Sequence, residues 1–455
     1  MLIVCDTLRA DHLGCYGGQR PTSPCIDRLA AEGVRFAEVC SPHIPTQPAH
    51  TTIFSGQDAF AHRIVAHGGA VEPPADLPWL PELARRHGAV TAAADNLGRW
   101  FPRGFDAYEG YGLEPSSDGY WRKAEAVLAA AARAVEVLAS AARRGQGFFG
   151  FFHLWDPHTP YCPPPPWHRL FYDGDERRAG EHGLDALWAF APFADYFGGW
   201  MPGVTDREFP RAQYAACVRA GDHAVQRLLG LLASAGCLED TLVALTADHG
   251  EELGEHGIWF DHHGLYETNL RVPLILWGPG RVPRGAVVRQ PVALTDLAPT
   301  LLRALGAQVP AQWPGRDLAP WRDGSGPAAP LYCTECTWMK KRAWRDGRYK
   351  LISALEPDFH GGPDLELYDL AADPGETANL AAVRPELCAE LLQRLEAHVA
   401  RRVAATGAPD PLAQQPLSSR RIGAPPRPAG AAPAAPAVRE DERERVSRRL
   451  ANLGY

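Results

Sequence analysis

Two carboxylates and one imidazole stand where buried strands should end. In "MLIVCDTLRAD" an apolar run stops at Asp6, and in "TLVALTADHG" a second stops at Asp248 and His249. Such a mixed oxygen and nitrogen set suits one divalent cation, whether Ca, Mn, Mg or Zn. An aspartate at a strand end is more often a helix cap, but an Asp-His pair followed by "GEELGEHG" is harder to explain as packing. The third group is Thr46, which opens "TQPAHTTIFSG" behind the loop "CSPHIP". Pro48 favours a first helical turn, so the Thr46 hydroxyl stands where a cap would meet free backbone N–H groups. A free threonine hydroxyl is a poor nucleophile, yet a divalent cation and the positive end of a helix both favour its alkoxide and attract an anionic ester. Capping and nucleophilic attack therefore ask for the same placement.

The elements that must position these groups are legible from apolar patterning. Short apolar runs alternate with amphipathic helical patterns through most of the chain, which predicts an α/β fold with a mostly parallel sheet flanked by helices. Strands are expected at "MLIVC", "GFFGFFHL", "TLVALTA" and "VPLILWG", and helices at "SPCIDRLAAEG", "KAEAVLAAAARAVEVLASAARR" and "AACVRAGDHAVQRLLGLLASAG". In the first helix Ser23 is the expected cap, Pro24 the first helical residue and Gly33 the end. In open α/β sheets the carboxyl ends of strands meet at a ligand crevice, so Asp6, Asp248 and His249 can converge.

The expected organisation is a catalytic domain over residues 1–325, with a substrate-side insertion at 163–210 marked by "PPPPW" and many aromatics. A small subdomain over 326–405 follows, built from an antiparallel sheet and a covering helix. Residues 406–438 are rich in Pro and Ala and read as a linker. Residues 439–455 read as a short helical segment.

At 455 residues and 45% hydrophobic content the chain can bury a large core. Its net charge of −8 comes from 54 acidic and 46 basic residues with no basic stripe, which argues against nucleic acid as a partner. No run approaches the roughly 18 apolar residues of a transmembrane span, and no signal core follows Met1. A cytoplasmic location is expected; because the strand pattern begins at residue 1, a start further upstream, and with it export, stays open. Among ten cysteines the close pair Cys333 and Cys336 lacks a second pair at zinc-ligand spacing, so reduced structural thiols are expected.

The stretches "DTLRADHLGCYG", "SPCIDRLAAEGVRF", "HLWDPHTPYCPP", "TADHGEELGEHGIW", "LYETNLRVPLILWGPG", "TDLAPTLLRALGA" and "ELYDLAADPGETANL" together resemble the sulfatase family of the alkaline phosphatase superfamily. The resemblance implies an alkaline-phosphatase-like fold and a metal-dependent hydrolase of sulfuric or phosphoric esters. Its familiar members begin the helix with C-x-P-x-R, then a variable pair and L-x-T-G, and oxidise the cysteine to formylglycine. In that register this chain has Thr46, Pro48, His50, Ile53, Ser55 and Gly56, so no formylglycine is expected. Cys40 lies too early and lacks the arginine.

Formylglycine hydrate expels sulfate by elimination, whereas threonine has one hydroxyl and its intermediate must be opened by water at the central atom. Phosphorus tolerates that route better, so the departure favours phosphoesters over sulfate esters. By the same resemblance Asp6, Thr46, Asp248 and His249 match metal-ligand positions, with Thr7 where a further carboxylate is common. Thr46 and His158 match catalytic positions, His158 contacting the ester oxygens or protonating the leaving group. His50, Asn96, His262 and His263 are candidates for substrate contact. The substrate is then a small-molecule, glycan or lipid anionic ester. Three alternatives stay open: a sulfatase working without formylglycine, a non-catalytic anion-binding homologue, and a two-zinc site recruiting Asp156, His158 and His262 or His263.

Overall fold

Leu2–Cys5 is entirely buried and lies in the middle of an eight-stranded sheet. The order across the sheet is Ala286–Val288, Val34–Phe36, Leu274–Trp277, Val243–Thr246, Leu2–Cys5, Phe148–Leu154, Val90–Ala94 and Ala107–Glu109. Every neighbouring pair is parallel except the two made by Leu274–Trp277. Continuous apolar runs form these strands because helices cover both faces and leave no polar side. The structure is a computed structural model that describes residues 1–319, 329–358 and 360–417. The mostly parallel α/β fold expected from the sequence is present.

The helices Pro24–Glu32 and Lys123–Arg143 pack on this sheet, and Glu208–Ser234 packs on both of them. Ser23 makes no side-chain cap: its hydroxyl accepts from Gly14 N at 2.9 Å and donates to Asp27 Oδ1 at 3.0 Å. Gly33 ends the helix for a reason of space, since a Cβ there would sit 2.3 Å from the Leu276 carbonyl oxygen. Glu208–Ser234 starts inside the stretch expected as an insertion, which also holds the short helices Asp185–Trp188 and Ala191–Gly198.

The C-terminal part is a four-stranded antiparallel sheet of Leu331–Glu335, Lys341–Asp346, Tyr349–Ala354 and Leu365–Asp369. Helix Pro385–Thr406 covers it, packing Leu391, Leu395 and Val399 on Trp344, Leu351 and Leu367. The sheet is seated on the loop that precedes Thr46: Thr334 N donates to the Pro42 carbonyl at 2.9 Å, and Cys40 and Cys333 face each other at 3.8 Å. All ten cysteines are free thiols. Within the stretch expected as a linker, Pro411–Gln414 is a helical turn capped by Asp410 with Leu412 fully buried. The rest of that stretch and the expected segment 439–455 lie outside the described residues. Among the described residues no helix is long and apolar enough to cross a membrane.

Candidate active site

Because Leu2–Cys5 runs parallel between Phe148–Leu154 and Val243–Thr246, the carboxyl ends of all three strands open on one place. Asp6, Asp248 and His249 are delivered there, each fully buried. His249 Nε2 lies 3.2 Å from Asp248 Oδ2 and 3.9 Å from Asp6 Oδ1. Thr46 Oγ1 joins them, 3.2 Å from the same His249 nitrogen.

Thr46 is the first residue of the helix Thr46–Ser55, but Pro45 holds the cap position and no side chain caps that end. The hydroxyl faces the His249 imidazole instead of the helix backbone. This separates the two readings that the sequence left joined.

The donor set fits a cation. Asp6 Oδ1 and Asp248 Oδ2 are buried and meet no hydrogen-bond donor, an arrangement that costs free energy unless a positive charge completes it. The other oxygens are taken: Asp6 Oδ2 by His153 Nε2 at 3.1 Å, and Asp248 Oδ1 by the backbone N–H groups of Thr7 at 3.2 Å and His249 at 2.9 Å. His249 Nδ1 meets the Gly250 carbonyl at 2.9 Å, which fixes its proton there and turns the Nε2 lone pair to the cluster. Burial opposes charge on His249, yet Asp248 and then Asp6 outweigh it and raise its pKa to about 9. A proton at this nitrogen and a divalent cation compete for the same place.

Local backbone supports the cluster. Thr7 adopts φ 56°, an uncommon conformation for a β-branched residue, and in it donates its N–H to Asp248 while its carbonyl accepts from Tyr214 at 2.7 Å. Gly250 leaves no room for a side chain: a Cβ would lie 1.8 Å from the Thr268 carbonyl oxygen.

Three residues near the cluster were not anticipated. His153, opposite Val4 in the sheet, bridges Asp6 to Asp95, with Nδ1 2.9 Å from Asp95 Oδ1. Burial disfavours its charge, but the two carboxylates prevail and lift it to about 10. A polar residue in the apolar run "GFFGFFHL" was the available signal. Lys123, buried at the start of the long helix, donates to the carbonyls of His158 and Pro160 and lies 3.7 Å from Asp156 Oδ1. His67 lies in the field of Asp6, His158, His249 and Asp248, and burial pushes it down to about 4.

Of the remaining candidates, His158 and His262 are beside the cluster. Their rings are 5.0 Å apart, and the His262 ring is 4.6 Å from that of His249. His158 Nδ1 meets the Thr159 carbonyl at 2.8 Å, and burial lowers its pKa. His263 turns toward the C-terminal part, with Nε2 2.7 Å from His360 Nε2. His50 is fully buried; its Nδ1 donates to the Thr46 carbonyl at 2.9 Å and lies 3.6 Å from Asp248 Oδ2. Asn96 follows the strand Val90–Ala94 and, among the described residues, makes no hydrogen bond to the cluster. Asp156, weighed from the sequence for a two-zinc site, lies 3.7 Å from Lys123 Nζ and is in neither group of clustered potential ligands among the described residues.

Residues 1–307 match the family described as sulfatase. The chain belongs to the sulfatase family. Residues 254–403 of this sulfatase-family chain also match the C-terminal region of N-sulphoglucosamine sulphohydrolase. It is 26% identical to an N-acetylglucosamine-6-O-sulfatase of Bacteroides thetaiotaomicron over 84% of this chain and 83% of that one. It is 24% identical to the multifunctional alkaline phosphatase superfamily protein PehA of Trinickia caryophylli, over 84% of this chain and 90% of that one. In fold it is similar to a phosphonate monoester hydrolase from Silicibacter pomeroyi, with a TM-score of 0.69 at 22% identity, covering 89% and 96% of the two chains. The family is one of hydrolases of sulfuric and phosphoric esters, and the chain carries its alkaline-phosphatase-like architecture.

Proposed function

We propose that this protein is a metal-dependent hydrolase that opens an anionic ester through a covalent intermediate on Thr46, with phosphate esters favoured over sulfate esters. The observation that carries this reading is the Thr46 hydroxyl: it forgoes the cap position and faces His249 within a cluster whose two carboxylates each keep an unsatisfied oxygen.

Asp6, Thr46, Asp248 and His249 are the proposed ligands. A divalent cation held by them would lower the pKa of the hydroxyl and draw in the negatively charged ester. His153 and the Thr7 N–H fix the carboxylates, and His249 Nδ1 fixes its own ring. Thr46, as alkoxide, attacks phosphorus or sulfur. Burial lowers the pKa of His158, and a negatively charged ester beside it favours a second proton. Carrying that proton, His158 delivers it to the departing alcohol, and in the second half it takes one back from the water that opens the Thr46 ester. His262 contacts the ester oxygens. His50 acts from behind, holding the Thr46 carbonyl.

The test is covalent capture. Enzyme quenched while turning over an aryl phosphate should carry a phosphoryl group on the peptide that contains Thr46; Thr46→Ser should keep part of the turnover and Thr46→Ala almost none. An unmodified peptide together with an active Thr46→Ala protein would refute the nucleophile. The second reading, a sulfatase without formylglycine, draws on the sulfate-ester activity named for the Bacteroides relative. A panel of aryl phosphates, phosphonates and sulfates separates the two, and its alcohols divide small-molecule, glycan and lipid substrates.

A further inference from the structure

Outside the residues already assigned, one group of side chains is built like a second centre. Glu251 comes two residues after His249, on the near side of a small hairpin whose strands are Glu252–Leu253 and Trp259–Asp261. Pairing of Glu252 with Asp261 folds the far strand back, so that Asp261 and His262 arrive beside Glu251. His262 Nδ1 lies 3.5 Å from Glu251 Oε1 and 3.6 Å from Asp261 Oδ1. One donor atom from each of the three side chains lies within 4.8 Å of the other two, and all three side chains are buried.

The decisive member is Glu251. It is completely buried, and beyond the Tyr161 hydroxyl beside it neither carboxylate oxygen meets a hydrogen-bond donor. The guanidinium of Arg9 does not serve it: Nη1 donates to the Glu251 backbone carbonyl and to Glu255, and Nη2 to Asp11. Asp261, by contrast, is anchored, with Oδ1 accepting from His262 N at 2.7 Å. Two carboxylates are thus gathered around one imidazole nitrogen, one of them with most of its acceptor capacity unused. A buried carboxylate in that condition costs several kcal/mol unless it is neutralised.

We infer that Glu251, Asp261 and His262 bind a second divalent cation, next to the one proposed at Asp6, Asp248 and His249. A tetrahedral shell with bonds of about 2.1 Å places neighbouring ligand atoms about 3.4 Å apart, close to the 3.5 and 3.6 Å separations from His262 Nδ1. Two carboxylate oxygens with one imidazole nitrogen suit Zn or Mn; calcium prefers an all-oxygen shell. The centres are neighbours through their histidines, whose rings are 4.6 Å apart. A cation on Nδ1 sets the orientation of the His262 ring and adds positive charge on the side of the site where an anionic ester would be held.

The test counts cations. Titration of metal-stripped full-length protein with Zn or Mn, followed by calorimetry, should give two equivalents. The double variant Glu251→Gln, Asp261→Asn should bind one, Asp248→Ala should also bind one, and the three changes together none. A count that the double variant leaves as high as in the unaltered protein would overturn the second centre. If the double variant does not fold, the single isosteric change Glu251→Gln and anomalous scattering at the zinc edge from the unaltered protein decide: a peak among Glu251, Asp261 and His262 supports the inference and its absence refutes it. Failure of the first centre is distinguishable, since Asp248→Ala would then leave the count unchanged while Glu251→Gln still lowered it.

Discussion

Two regions of this molecule bury clusters of charge, and they are finished differently. Beneath the C-terminal sheet Lys350 is fully buried, with Nζ 3.1 Å from Glu267 Oε1 and 2.6 Å from Glu376 Oε1, while Arg345 approaches Glu267 Oε2 at 3.6 Å. Glu267 and Glu376 each have a cation supplied by the chain. At the strand ends, Asp6 and Asp248 each keep an oxygen without a donor, and the positive partners are histidines alone. Burial penalises charge equally in both places. The difference teaches that the first region is balanced by fixed lysine and arginine charges, whereas the second rests on histidine protons, with which an entering cation would compete.

The comparison breaks most decisively at Asp248. Asp248→Ala should abolish binding of the first cation and lower turnover by more than about 10⁴-fold, given that metal and nucleophile fail together, while the far-ultraviolet circular dichroism stays native. Full activity in that variant, or in chelated enzyme, would sink the metal assignment.

A smaller loss is expected at His158. His158→Ala should slow esters with poor leaving groups by about 10²- to 10⁴-fold and nitrophenyl esters far less. The acid must be protonated, and burial holds its free-enzyme pKa below 6.5. Accordingly kcat/KM for poor leaving groups should fall as pH rises through a value under 6.5, and the variant should lose that limb. Equal losses on both substrate types would point to binding instead.

Lys350→Met tests the region that fixed charges balance. It strands Glu267 and Glu376, so the expected cost is about 3–5 kcal/mol in urea unfolding, with the cation count unchanged. A stable variant would mean that Arg345 alone suffices. The smallest effect is expected at Thr46 itself. Loss of a true cap costs about 1 kcal/mol; because Thr46 caps nothing, Thr46→Ala should move stability by well under that, and a loss of the full amount would restore the capping role.

Much of this was readable beforehand for a physical reason. The runs "MLIVC" and "TLVALTA" are apolar on both faces, which marks parallel interior strands, and the first polar residues after them had to emerge at the crevice. That logic placed Asp6, Asp248 and His249, and the family resemblance agreed. It could not see His153 or Asp95, because their meeting depends on which strands are neighbours and in what register. Nor could it choose between His262 and His263, since a single-residue shift in the hairpin exchanges their directions. Lys123 opens an Ala-rich helix and looks like an ordinary exposed first-turn residue until the loop after Trp155 folds over it. Leu412 was hidden by the Pro/Ala composition around it, although one apolar side chain is enough to dock a turn.

Gly250 carries a consequence for anyone who would re-engineer the protein. It separates His249 from Glu251, its N–H is bonded to the Asn269 carbonyl at 2.8 Å, and the Thr268 carbonyl closes the space where a side chain would go. The chain is clamped there like a riveted plate, so the spacing of the residues on either side is set by backbone and cannot be retuned by choosing different side chains. Directed variation that seeks a new metal or a new ester should spare residues 248–251 and the stretch that clamps them, and should diversify the surrounding walls, where His67 and Asn96 stand.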